Sequence, residues 1–104
     1  MISNDHDREL YLDRQSIRNI SRDRVAFTVK SVFKHGRRPV GATEIVGVAQ
    51  TDYMVDCSRR AIQEDRTQYM SDEDKPVGEA PYIVRGWSTI RPGSDLDEIR
   101  KKVC

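Results

Sequence analysis

The chain has 104 residues, enough for a single domain built around one hydrophobic core. Its 18 Lys and Arg residues nearly balance 17 Asp and Glu residues, so a formal net charge of +1 provides no general attraction for nucleic acid. Hydrophobic residues make up 37% of the chain, and no apolar run approaches the roughly 18 residues that span a membrane. We expect a folded domain at residues 9–104, preceded by a frayed polar tail at residues 1–8.

Short apolar segments alternate with polar connections along most of the chain. The segments predicted to form strands are residues 9–13, 25–34, 43–57, 61–70 and 82–87. The predicted turns and loops are residues 13–17, 21–24, 35–41, 71–78 and 90–94. Short connections between consecutive strands favour an antiparallel meander of about five strands.

The clearest strand pattern follows residue 24. The apolar residues of one parity in this segment are Val25, Phe27, Val29 and Phe33. This alternation is typical of an antiparallel strand with one face in the core. In the next predicted strand, Tyr53, Val55 and Cys57 share one parity, so Cys57 is expected on an apolar face.

The last ten residues predict an amphipathic helix. Ser94 is a favourable N-cap, and Asp97 three residues later resembles the acidic member of a capping box. Leu96, Ile99 and Val103 form one apolar stripe, with acidic residues before it and basic residues after it. The predicted fold is therefore mainly β, of the α+β class, with a C-terminal helix packed on one face of the sheet.

The two cysteines, Cys57 and Cys104, are too far apart in sequence for a CxxC motif. Cys57 is predicted on an apolar sheet face, and Cys104 lies at the edge of the helix stripe that packs on it. We therefore expect a disulfide, which would imply an exported protein. The alternative is a pair of reduced thiols in a cytosolic domain. The polar N-terminus shows no signal peptide, so an exported protein would have lost its signal before this chain was made.

No group of residues in the sequence forms a recognisable catalytic site. The two histidines, His6 and His35, lack metal-ligand spacing, and no phosphate-binding loop or nucleophile motif is present. We expect no enzyme activity, no cofactor and no metal.

Arginine pairs suggest a partner-binding basic patch. Its predicted members are Arg37, Arg38, Arg59 and Arg60. Brought together, they would attract a polyanion or the acidic face of a protein. The alternative is a solvated surface neutralised by nearby acids. Trp87, at the end of a predicted strand, packs at the rim of the core or lines a groove.

The chain also resembles the surface-adhesin protein E family of small exported proteins of Gram-negative bacteria. The stretches that carry the resemblance are Tyr11–Asp13 with Ser16–Ile17, Val25–Phe33, Asp56–Cys57 with Arg60, and Trp87, Ile90 and Pro92-Gly93-Ser94 before Cys104. It implies an antiparallel sheet whose C-terminal helix is held by one disulfide. It also implies an exported, often lipid-anchored precursor. No segment matches a host-binding motif residue by residue.

These observations lead us to expect a non-enzymatic, extracytoplasmic envelope or surface protein that acts as a protein-binding module, with adhesion as one role. One alternative is a periplasmic structural or assembly lipoprotein with no host ligand, and another is a small cytosolic domain of unknown role. We expect a protein partner, or a homodimer formed through unpaired strand edges. We expect no nucleic acid, and membrane attachment only through a lipid anchor outside this chain.

Overall fold

The computed structural model describes residues 2–4, 7–81 and 86–104, and it contains one antiparallel sheet and one helix. The strands are β1 (Ser3–Asn4), β2 (Arg8–Asn19), β3 (Arg24–Arg37), β4 (Val46–Asp56), β5 (Ala61–Met70), β6 (Pro76–Glu79) and β7 (Ser88–Thr89). The helix is α1 (Asp95–Val103). The first six strands are neighbours in chain order, and β7 pairs with β5. The predicted mainly β meander with a C-terminal helix is confirmed.

One face of the sheet, here called the inner face, carries the hydrophobic core. Its buried strand residues are Leu10, Val25, Phe27, Val29, Val55 and Ile62. Val55 lies between Val25 on β3 and Ile62 on β5, so the core is assembled from directly opposite side chains. Ile99 of α1 is completely buried against this cluster. Burying an aliphatic side chain of this size contributes about 1.5–3 kcal/mol, so α1 belongs to the core.

The two ends of the sheet carry different connections. The β2–β3 turn, the β4–β5 turn and the C-terminus of α1 meet at what we call the disulfide end. There the backbone N–H of Cys57 donates to the carbonyl of Asp23 at 2.7 Å. The β3–β4 loop and the β5–β6 turn occupy the opposite end, called the far end. Arg37 lies opposite Val46 there, at the other extremity of the β3–β4 pair from Arg24 and Asp56.

The predicted turn at residues 13–17 is an irregularity within β2. The pairing of β2 with β3 shifts register between Asp13 and Arg18, where β2 carries extra residues. The backbone N–H of Thr28 donates to the Ser16 hydroxyl at 2.8 Å, so a side chain replaces a missing ladder bond. The strand therefore resumes beyond a bulge that the polar sequence alone would assign to a turn.

The predicted loops 35–41 and 71–78 are shorter than expected. Strand β3 extends to Arg37, and Pro76–Glu79 forms β6 at the margin of the sheet, where a proline is tolerated. Val77 is buried. Gly78 adopts a positive φ of 133°, and a β-carbon there would meet the carbonyl oxygen of Gly41 at 2.1 Å. Glycine at residue 78 therefore permits close contact with the β3–β4 loop.

Two other predictions involve segments that the structure describes only in part. Within the predicted tail at residues 1–8, Ser3–Asn4 pairs with β2 as β1 and is not frayed. Of the predicted strand at residues 82–87, residues 82–85 lie outside the described residues, as does His6. Trp87 is described and lies immediately before β7, outside a strand.

Candidate functional site

The predicted disulfide is present and joins the sheet to the helix. Cys57 directly follows β4, and Cys104 directly follows α1. Their Cα atoms are 5.9 Å apart, within the normal range for a disulfide. Because Leu96, Ile99 and Val103 all contact the core cluster, the apolar stripe predicted for α1 is confirmed and brings Cys104 to Cys57.

The start of α1 is fixed by the predicted cap. The backbone N–H of Asp97 donates to the Ser94 hydroxyl at 3.2 Å, and the Asp97 carboxylate accepts from the backbone N–H of Gly93 at 3.0 Å. Arg100 donates to the same carboxylate at 2.9 Å. The Gly93 N–H and then the Arg100 guanidinium lower the pKa of Asp97. These bonds give Gly93 and Ser94 a structural role as the loop that starts the helix.

Asp56 organises the β4–β5 turn at the disulfide end. Its buried carboxylate accepts hydrogen bonds from the Ser58 hydroxyl at 2.9 Å and from the backbone N–H of Arg59 at 3.2 Å. Arg24 lies 3.8 Å away as an ion-pair partner. The Ser58 hydrogen bond is the largest cause of a lowered pKa for Asp56. The turn next to Cys57 is therefore held by an ionised carboxylate. The family resemblance included Asp56 as a matching residue but assigned it no role.

Trp87 stacks with Arg24. The Arg24 guanidinium carbon lies 5.1 Å from the centre of the Trp87 ring, within cation–π range. The same arginine contacts Asp56, so Trp87, Arg24 and the β4–β5 turn form one connected cluster. Trp87 therefore lies at the disulfide end, immediately before β7.

The structure divides the predicted basic patch between the two ends of the sheet. Arg59 and Arg60 are exposed in the turn at the disulfide end, whereas Arg37 and Arg38 are exposed at the far end. The length of β3 separates the pairs, which is roughly 40 Å of strand path. Arg37 lies 3.8 Å from Asp7 as an ion pair. The four arginines therefore do not form one surface.

Exposed charged residues lie at both ends of the sheet. The far end carries exposed carboxylates as well as Arg37, Arg38 and Lys75. The carboxylates of the β3–β4 loop and the β5–β6 turn are Glu44, Asp72, Glu73 and Asp74. The disulfide end presents exposed cations from three segments, namely Arg22, Arg59, Arg60 and Lys102, together with the exposed acid Asp23. Each end therefore carries exposed charges of both signs.

Among the described residues, α1 covers part of the inner face. Beyond the start of the helix these residues line a cleft of about 370 Å³. Its walls include the aromatic residues Phe33, Tyr53 and Tyr69, and Leu96 of α1 forms one side. Its floor contains Thr51 and Thr67, whose hydroxyls are 3.0 Å apart. This mixture of aromatic and hydroxyl groups suits contact with another molecule.

A second concavity, the edge cleft, lies between β2 and the last turn of α1. It measures about 250 Å³ and is lined by Leu12, Arg14, Ile17 and Lys102. Sequence reasoning missed it because Arg14 and Ile17 fall in a predicted turn, whereas Lys102 falls among the basic residues that end the predicted helix. The parity of Leu12 and Arg14 was the one signal that could have placed both on the inner face of β2.

Two features are absent from the described residues. Within residues 2–4, 7–81 and 86–104, no group of three or more His, Cys, Asp or Glu side chains could hold a metal ion. No helix in this same part of the chain has the length and apolar character needed to cross a membrane.

Comparison with known proteins identifies a family for this chain. The family described as Surface-adhesin protein E matches residues 1–104, which is the whole chain. No curated protein and no solved structure matches the chain significantly. The sheet, the C-terminal helix and the disulfide agree with the features that the resemblance implied. The chain therefore belongs to the Surface-adhesin protein E family.

Proposed function

We propose that this chain is a non-enzymatic, extracytoplasmic protein of the bacterial envelope that acts by binding a protein partner, with surface adhesion as its role. The observation that carries the proposal is family membership over the whole length of the chain. The family description names a surface adhesin, and adhesins act by recognising other molecules.

The disulfide supports the extracytoplasmic part of the proposal. Stable disulfides form in the periplasm and on cell surfaces, whereas thiols in the cytosol are kept reduced. Both cysteines of the chain are used in the single Cys57–Cys104 bond, and none is left free. This use of cysteine suits a structural role in an oxidising compartment.

The sheet supports the binding part of the proposal. In the part of the chain that the structure describes, the inner-face cleft lies beside the covalently fixed helix, with Phe33, Tyr69 and Leu96 partly exposed. Aromatic residues supply large contact area at low cost in conformational entropy, and they are enriched where proteins bind one another. The inner face is therefore one surface at which a partner could be recognised.

The test of location uses the bacterium that makes the protein. Intact cells are treated with a membrane-impermeant protease, and the chain is then detected by antibody in the cell and envelope fractions. We expect oxidised cysteines and cleavage of the chain in intact cells. Protection from the protease, with the chain in the periplasmic fraction, would instead support a structural or assembly role. Reduced cysteines in the cytosolic fraction would contradict export altogether.

The test of binding uses the purified, oxidised chain on a sensor surface against a panel of purified host matrix and serum proteins. Two variants with the same change in charge are compared, Arg59→Glu with Arg60→Glu, and Arg37→Glu with Arg38→Glu. Because these pairs lie at opposite ends of the sheet, a loss in only one variant locates the contact. Absence of binding to every panel member by the unmodified chain would contradict the adhesin role.

A further inference from the structure

We propose that the face of the sheet opposite the hydrophobic core binds a small zwitterion, whose ammonium group lies beside Asp52 and whose anionic group lies between Arg18 and Arg66. We call this face the outer face and the concavity in it the outer pocket. The inference goes beyond the proposed function, since its ligand is a small molecule and not a protein partner.

A row of polar side chains crosses the middle of the outer face. Thr28 on β3 lies directly opposite Asp52 on β4, and Asp52 lies directly opposite Arg66 on β5. Directly opposite residues share a face, whereas neighbours along a strand alternate between faces. Because Val29 belongs to the core, Thr28 and the row that it begins point away from the core.

Two bulges bound the outer pocket. In β2 the pairing shifts register between Asp13 and Arg18, and in β5 Asp65 is an extra residue in the pairing with β4. Bulges bend a strand and increase its twist. The pocket between them measures about 290 Å³, and buried Ala26 contributes a small side chain to its lining. Sites for drug-sized molecules begin at about 300 Å³, so this volume suits a smaller ligand.

Asp52 places an anionic group at the centre of the outer pocket. Its half-buried carboxylate accepts a hydrogen bond from the Thr28 hydroxyl at 2.7 Å. A carboxylate can accept about four hydrogen bonds, so most of its acceptor positions remain available. Asp52 forms no ion pair with any residue that the structure describes. An ammonium group, which has three donors, complements this carboxylate in charge and in hydrogen bonding.

Two arginines place cationic groups on either side of Asp52. Arg18 on β2 is exposed and has no ion-pair partner among the described residues. Arg66 on β5 donates to Glu79 through one nitrogen, which leaves its other donors for a ligand. Three strand spacings, or about 14 Å, separate β2 from β5, a gap that two arginine side chains bridge when a small anionic group lies between them.

The order of these charges favours a ligand that carries both signs. A simple anion held by the arginines would also approach Asp52, and a simple cation beside Asp52 would approach two guanidinium groups. Like charges at such distances repel, whereas a zwitterion places each of its charges beside an opposite one. Free α-amino acids and the phosphoethanolamine group of lipids share this chemistry.

The β2 side of the outer pocket is held in place without a ligand. The Ser16 hydroxyl accepts from the backbone N–H of Thr28 at 2.8 Å and donates to the carbonyl of Asp13. Since the Thr28 hydroxyl also donates to Asp52, one residue joins the bulge of β2 to the central carboxylate. A site that is already ordered loses less conformational entropy when it binds.

The test uses nitrogen-15 NMR of the full, oxidised chain titrated with small molecules. The probes are two zwitterions, L-alanine and O-phosphoethanolamine, and two simple ions, acetate and ethylammonium. We expect saturable amide shifts at Arg18, Thr28, Asp52 and Arg66 with at least one zwitterion, and affinity at least about tenfold weaker for each simple ion. Tighter binding of L-alanine would identify free amino acids as the source of the ligand, and tighter binding of O-phosphoethanolamine would identify the lipid group.

Matched variants locate the effect. Asp52→Asn removes the central charge but keeps an acceptor for the Thr28 hydroxyl, and Arg18→Gln removes a cation from an exposed position. We expect each variant to bind the zwitterion at least about tenfold more weakly. Asp23→Asn and Arg22→Gln make the same changes of charge in the β2–β3 turn, outside the pocket, and we expect no change in affinity.

Several results would overturn the inference. These are the absence of saturable shifts with both zwitterions, shifts confined to other surfaces, equal affinity for acetate or ethylammonium, or equal loss of affinity in the control variants. Amide spectra without ligand show whether each variant remains folded. Because Arg18 is exposed, its variant tests the site even if Asp52→Asn does not fold.

Discussion

Removal of the Cys57–Cys104 bond is the most informative perturbation of this fold. The bond closes a loop with a sequence separation of 47 residues, and it fixes the end of a nine-residue helix to the sheet. Helices of that length are marginal in water without tertiary contacts. The variant Cys57→Ser with Cys104→Ser removes the bond and leaves no thiol that could form another.

The expected magnitude follows from the length of the loop. Closing a loop of this size removes about 4 kcal/mol of conformational free energy from the unfolded chain. Domains of about 100 residues are stable by about 5–15 kcal/mol, so this contribution is a large share of the total. Each kcal/mol of lost stability lowers the midpoint of thermal unfolding by about 4–8 °C in a domain of this size, so the midpoint should fall by about 20 °C.

Thermal unfolding followed by far-ultraviolet circular dichroism measures this change. The oxidised chain, the chain reduced under a strong reductant and the double serine variant are compared at the same pH. Reduction should lower the midpoint by nearly the same amount as the double variant, and the reductant should not change the double variant further. That last comparison shows that the reductant acts through the one disulfide of the described residues.

A midpoint for the double variant within about 3 °C of the oxidised chain would refute the loop-closure reasoning. The contacts of Ile99, which is fully buried, would then hold α1 without help from the bond. A two-step transition would also contradict it, because α1 would be separating from the sheet before the sheet unfolds. In that case the bond would stabilise only the helix and not the domain.

Three other substitutions test local features of the structure by chemical denaturation. Asp97→Asn should lower the free energy of unfolding at neutral pH. The difference in that free energy between the variant and the unmodified chain should shrink as pH falls below about 4, because the lowered pKa of Asp97 contributes stability that is lost on acidification. Asp74→Gly should stabilise by about 0.5 kcal/mol, since Asp74 has a positive φ of 60° that glycine adopts without strain. Gly78→Ala should destabilise by at least about 2 kcal/mol, because its β-carbon would collide with a backbone carbonyl of the β3–β4 loop. A stable alanine variant at residue 78 would contradict the close approach of that loop to β6.

Local patterns predicted much of this fold. Alternation in Val25, Phe27 and Val29 identified the buried face of β3, and the spacing of Leu96 and Ile99 identified the buried face of α1. These patterns are short-range, since each depends only on which side chains share a face. The prediction that the helix covers the sheet followed because each apolar face needs a partner to be buried.

Register and charge placement depended on the folded arrangement. The bulge after Asp13 is stabilised by a hydrogen bond to Thr28, a residue on the neighbouring strand, so its own sequence resembles a turn. The two arginine pairs of the predicted patch resemble each other in sequence, but they lie at opposite ends of the sheet. Because β3 and β4 are antiparallel, the turn after β4 that carries Arg59 lies at the opposite end of the sheet from Arg37, where β3 ends. The edge cleft is built from both β2 and α1, so the parity of Leu12 and Arg14 within one segment could not indicate that Lys102 lies beside them.

The disulfide also positions the last turn of α1. Lys102 is two residues before Cys104, so the bond to Cys57 holds the last turn of α1 beside β2. Helix ends fray when nothing holds them, and a frayed last turn would move Lys102 away from Arg14. We therefore expect reduction to loosen the edge cleft. If reduction leaves the amide NMR shifts of residues 101–103 unchanged while the sheet remains folded, the core contacts of Ile99 and Val103 hold that turn without the bond.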